Sequence, residues 1–169
     1  QRRTDVSFRN ACSPLGKCLA ITVGRCRCTF RRTILGSGHM ILVTVGTQFG
    51  FDRLIRWMDD WSGRHKEVQV VAQIGRGEFI PQHMEWSRDI SPSRFECLVH
   101  ESEKVVSHAG MGTIISARLA GKPVIVVPRR ASLNEHRNEH QLATAGRLSG
   151  SHGIYVAHED WQLHAQLAS

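Results

Sequence analysis

From Met40 onward, apolar runs of strand length alternate with segments of helical periodicity, and that alternation limits the chain to few architectures. MILVTV at 40–45 is continuously apolar, as a strand covered on both faces must be. Phe51, Leu54, Ile55, Met58 and Trp61 then fall at helical spacing and predict an amphipathic helix ending near Gly63. VQVVAQI at 68–74 is a second strand, stopped by Gly75 and Gly77. The mixed stretch 78–90 carries a short strand around 83–86, and Pro92 opens a helix containing Phe95, Leu98 and Val99. KVVS is a strand, 113–120 a helix closed by Gly121, PVIVV a strand, 134–147 a helix, GIYVA a last strand and 159–167 a terminal helix. Strands separated by helices, without hairpin signals, predict a parallel sheet with helices on both faces.

Sheets of this kind bind ligands outside the carboxyl ends of their strands. The polar loops at 46–48, 107–113 and 128–138 all follow strands, so they are expected on one rim. SHAGMGT places two glycines between a strand and a helix, where backbone can approach a ligand closely and helix-terminal N–H groups can face an anion. Phosphate suits such a loop, with His108 and Thr113 as added donors; a plain tight turn is the competing reading. NEHRNEHQ offers donors and acceptors for a hydroxyl-rich ligand such as a sugar, or else forms a solvated face of paired charges.

Several functions lose their support. A dinucleotide fingerprint starting at Gly110 would need a third glycine where Ile115 stands, and no G-x-x-x-x-G-K-[ST] or D-x-D occurs. His136 and His140 have no H-E-x-x-H arrangement and no third ligand, so no metal site is expected. The net charge of +7 hints at nucleic acid, yet residues 1–39 carry eight Lys/Arg against Asp5 alone, while 40–169 hold fourteen residues of each sign. The basicity is that of an extension, and the domain itself is not expected to bind nucleic acid.

Cys12, Cys18, Cys26 and Cys28 match no common zinc spacing, and the lone later Cys97 suits a reducing, cytoplasmic compartment. Residues 1–39 are therefore expected to be a disordered or non-native basic extension ahead of a domain at 40–169, with a basic arm for anionic lipid or a partner as the alternative. Trp57, Trp61, Trp86 and Trp161 exceed what so small a core needs, which leaves core packing and a docking face both open.

MILVTVGTQF, SHAGMGTIISARLAGKPVIVVP and NEHRNEHQ, in that order, resemble the C-terminal domain of glycosyltransferase family 28 over about residues 40–169. Within it the chain is most similar to short, glucuronosyltransferase-like subunits of bipartite enzymes of bacterial exopolysaccharide synthesis. The subunit completing N-acetylglucosamine transfer to a dolichol-linked sugar is a more distant likeness. The resemblance implies a Rossmann-like α/β fold, the C-terminal lobe of a GT-B glycosyltransferase. It implies a UDP-sugar donor, inversion at the anomeric carbon, no metal or cofactor, and a lipid-linked sugar acceptor. A membrane-anchored partner subunit would supply the general base and recruit this chain to the cytoplasmic face of the membrane.

By the same likeness His108, Gly110, Gly112 and Thr113 would cradle the diphosphate, with Gly46, Thr47 and Gln48 closing over it. Glu135, His136, Asn138 and Gln141 would read the donor sugar. Many relatives carry Glu where this chain has Ser116, a position that faces the ribose in the family. A non-catalytic nucleotide-binding or assembly module of the same fold is the alternative.

Overall fold

The structure, a computed structural model, describes residues 39–169. The expectations placed on residues 1–38 lie outside the described residues.

Six strands form one all-parallel sheet: β1 (Met40–Thr44), β2 (Gln69–Gln73), β3 (Glu85–Ser87), β4 (Lys104–His108), β5 (Val124–Val127) and β6 (Ile154–Val156). Their order across the sheet is β3-β2-β1-β4-β5-β6. The chain therefore runs outward from β1 to one edge, then returns to place β4 on the other side of β1. That reversal between β1 and β4 opens a crevice at their carboxyl ends.

Helices cover both faces, and alternate residues of β1 show how. Ile41 and Val43, with Val45 just past the strand end, join Leu54, Ile55 and Met58 of α1 (Asp52–Arg64) and Leu163 and Leu167 of α5 (Asp160–Ala168) in one core. Met40 and Leu42 point the other way, into Leu98 and Val99 of α2 (Pro92–Glu101), Ile114 and Ala117 of α3 (Met111–Leu119) and Ala145 of α4 (His140–Leu148). A strand buried on both faces has no polar positions to spare. Of the tryptophans, Trp61 is buried in the first core, Trp57 and Trp86 pack against it, and only Trp161 is mostly exposed.

Local signals set the helix starts. Pro92 occupies the first turn of α2, where its missing N–H costs nothing, and the Ser91 hydroxyl accepts the Arg94 N–H at 3.4 Å. Ser91→Ala is expected to lower stability by about 1 kcal/mol, read from the urea midpoint. The α3 helix begins at Met111, two residues before the expected start.

The helix expected over 134–147 is a correction. It begins at His140, behind a 3-10 turn at Ala131–Leu133 and a non-helical stretch at 134–139. Asn134 sits in the left-handed region at φ 58, which ends the turn, and the Glu135 carboxylate is drawn away to Arg53 of α1. A tertiary ion pair thus overrides the helical propensity of the segment.

Candidate functional site

Three loops meet at the carboxyl ends of β1, β4 and β5. The first leaves β1 through Gly46, whose φ of +74 turns the chain sharply. Its N–H faces the Thr44 hydroxyl at 3.3 Å, and that hydroxyl donates to Gln73 Oε1 at 2.6 Å in the neighbouring strand. Thr47 and Gln48 stand exposed at the tip.

The second loop carries His108. Its imidazole occupies a slot between two glycines: a Cβ on Gly46 would stand 2.8 Å from Cε1, and one on Gly110 would collide with Nε2. These two glycines make room for a histidine. Around Gly112, by contrast, nothing beyond the helix's own neighbouring backbone lies within 4 Å of where a Cβ would be, so this glycine faces open space. Gly110 is the N-cap of α3 and no side chain caps the helix, which leaves the amides of Met111, Gly112 and half-buried Thr113 free to meet an anion. Ser116 lies half-buried one turn further along.

Burial pushes the His108 pKa down from 6.5 to about 4, the Arg129 charge adds to this, the Thr44 main chain opposes it, and His136 lowers it slightly. The ring is neutral at pH 7 and carries a single N–H. Between about pH 6.5 and 4 the unfolded chain binds a proton that the folded chain refuses, so this contribution to stability is complete above 6.5 and is lost as the pH falls. His108→Gln is expected to flatten the acid side of the stability profile, seen by urea unfolding at pH 7.5 and 4.5. Parallel losses in native protein and variant would contradict it.

The third loop follows β5 and is braced by charge. Glu135 accepts Arg53 Nε at 2.6 Å and Arg53 Nη2 at 2.8 Å, and also the Arg130 N–H at 2.9 Å. Gln141 is buried, its Oε1 accepting the Arg129 N–H at 3.1 Å. Both side chains are committed to holding the loop. His136 stands edge-on to Phe49, with centroids 5.4 Å apart, and its Nδ1 is 3.1 Å from Asn138 Oδ1.

Between the first and third loops lies an open cavity of about 720 Å³ lined by Thr47, Gln48, Phe49, Arg76, His136, Arg137 and Asn138. Of the residues singled out from the sequence, Thr47, Gln48, His136 and Asn138 share this wall. His108 reaches the same rim through Gly46, while Glu135 and Gln141 serve the scaffold behind it. Sequence reasoning passed over Phe49, Arg76, Arg137 and the buried Arg129. PRR at a strand end reads as a solvated loop, and nothing local marks Arg129 as buried. No group of three or more His, Cys, Asp or Glu able to hold a metal ion occurs among the described residues. No helix among them is long and apolar enough to cross a membrane.

A six-stranded parallel sheet covered on both faces, with its strand order reversing between β1 and β4, matches the Rossmann-like lobe of GT-B glycosyltransferases. The chain belongs to the family described as the glycosyltransferase family 28 C-terminal domain, which matches residues 40–161. It is 31% identical over 120 residues to the UDP-N-acetylglucosamine transferase subunit ALG13 of Homo sapiens, covering 64% of this chain and 10% of that protein. The chain thus spans only a small part of that relative. Among solved structures, the kitacinnamycin glycosyltransferase superposes with a TM-score of 0.63 at 20% identity, over 90% of this chain and 39% of that one. The calicheamicin glycosyltransferase CalG4 gives 0.57 at 17% identity, over 78% and 33%. At these identities the two structures speak for the fold alone.

Proposed function

We propose that this chain is the donor-binding part of an inverting UDP-sugar glycosyltransferase. The observation that carries the reading is the uncapped start of α3, with the open side of Gly112 and the neutral His108, whose ring packs against Gly46 of the first loop. Free helix-terminal amides and one imidazole donor suit a diphosphate. The polar wall of Gln48, His136 and Asn138 suits the hydroxyls of a sugar. The name of the human relative, a UDP-N-acetylglucosamine transferase subunit, supports both the donor class and the need for a second subunit.

Attack by an acceptor hydroxyl at the anomeric carbon forms the new glycosidic bond with inversion and releases UDP. The charge developing on the leaving diphosphate is met by the amides of Met111, Gly112 and Thr113 and by the His108 N–H, so no metal or other cofactor is required of this chain. The general base that takes the acceptor proton belongs to a membrane-anchored partner, which also presents a lipid-linked acceptor for polysaccharide synthesis and holds this chain at the cytoplasmic face. The uridine is met near Ser116.

Calorimetric titration of the full chain with UDP, UDP-N-acetylglucosamine and UDP-glucuronic acid, with and without magnesium, tests the donor reading. Saturable, magnesium-independent binding is expected, and its absence for all three ends the proposal. Consumption of UDP-sugar only when a membrane subunit and a lipid acceptor are both added separates an enzyme from a binding module. Asn138→Ala is expected to weaken UDP-sugar binding by about three- to tenfold while leaving UDP within about twofold, the loss of one hydrogen bond to the sugar. Equal losses for both ligands would remove that residue from the sugar wall.

A further inference from the structure

Arg129 is only 2% exposed, yet no carboxylate stands within ion-pair distance of it among the described residues. The opposed charge that acts on it, Glu135, is already engaged by Arg53 and by the Arg130 main chain. Burial lowers the Arg129 pKa to about 10, with Glu135 pulling it back up, so the guanidinium remains charged at neutral pH. A buried cation held without a direct counter-ion is costly, and its surroundings must compensate.

They do so by gripping the first loop. Arg129 Nη2 donates to Val45 O and to Phe49 O, both at 2.7 Å, so one nitrogen joins the two ends of the 45–49 turn. The guanidinium carbon lies 5.1 Å from the Phe51 ring centroid and 6.0 Å from that of Phe49. Its own main chain is fixed by Gln141, and its charge is felt at His108. One side chain therefore ties the β1 loop to the end of β5 from beneath, with His108 of the β4 loop within reach of its charge.

We infer that Arg129 is the positioning residue of the site: it holds the Gly46 to Phe49 turn so that Thr47 and Gln48 face the cavity, and it supplies a fixed buried positive charge behind the place where an anionic diphosphate enters. The inference rests on the donor reading above, which names the anion. The charge accounts for the absence of a carboxylate partner, since an internal ion pair would cancel the attraction that the ligand uses.

Two variants separate the grip from the charge. Arg129→Gln keeps an amide donor and removes the charge; it is expected to weaken UDP binding at least about tenfold and to raise the His108 titration midpoint, followed by NMR of the ring protons. Arg129→Lys keeps the charge and loses the rigid planar placement of Nη2 between the two carbonyls, so the amide resonances of Thr47 and Gln48 shift while the His108 midpoint stays low. A folded Arg129→Gln protein that binds UDP within about twofold of native, with His108 unmoved, overturns the inference. In the native chain the Arg129 guanidinium protons are expected to shift on adding UDP, which requires no variant to fold; unmoved resonances at saturation count against it. Native protein that binds no UDP removes the donor reading itself. The Thr47 and Gln48 amide shifts in Arg129→Lys then still decide whether Arg129 holds the turn.

Discussion

Gly112→Val is expected to fold normally and to lose UDP binding by at least about a hundredfold, about 2.7 kcal/mol. The fold is expected to survive because, beyond the helix's own neighbouring backbone, nothing lies within 4 Å of the new Cβ. Gly112 is in the first turn of α3 without a positive φ, so a substituted residue strains no backbone there. The same open space is where a diphosphate must come to reach the amides of that turn, and a branched side chain fills it. Gly112→Ala should give a smaller loss, since one methyl leaves part of the approach free. Calorimetry with UDP measures the binding and a thermal melt confirms the fold. If the folded Gly112→Val protein binds UDP as the native chain does, the loop is a turn and nothing more.

The contrast with Gly46 and Gly110 shows where sequence reading stopped short. All three glycines look alike in the sequence, as small residues next to a strand end. Only the structure separates the two that accommodate the His108 ring from the one that faces outward. The parallel sheet was legible because burial on both faces leaves its mark on the inner strands: MILVT and VIVV are wholly buried. Helix spacing revealed α1 for the same reason, since Leu54, Ile55 and Met58 had to meet the sheet.

The start of α4 was not legible. Asn134 and Glu135 have ordinary local preferences, and what unwinds the segment is a partner 82 residues away in sequence. Arg129 was hidden in the same way. A basic residue in a polar loop reads as solvated, and no periodicity announces that its guanidinium turns inward toward two carbonyls of β1's loop. Long-range charge pairing, unlike hydrophobic periodicity, leaves no local pattern.

That pairing leads to the other large effect expected of this site. Glu135→Ala should destabilise the ligand-free protein by about 3 kcal/mol, the lower end for removing one partner of a buried ion pair. The side chains of Arg53 and Glu135 are only 16% and 11% exposed, so water cannot readily replace the lost carboxylate. Arg53 would keep one bond, to Pro128 O at 3.0 Å, and the faces of Phe51 and Trp57 at 5.2 and 4.7 Å. The Arg130 N–H would lose its acceptor, and the charge that offsets the burial of Arg129 would vanish. The stretch 134–139 would come loose, carrying His136 and Asn138 out of the cavity wall, so weaker sugar binding follows as a consequence of lost structure. Urea unfolding without ligand isolates the first effect. If Glu135→Ala unfolds at the native midpoint yet loses affinity for UDP-sugar, the carboxylate acts on the ligand and its bond to Arg53 is incidental. The double variant Arg53→Met with Glu135→Met should recover most of the stability, because an apolar pair of similar volume leaves no charge stranded. It should not restore sugar binding to the same degree, since a flexible apolar contact fixes the loop less firmly than a two-bond guanidinium clamp.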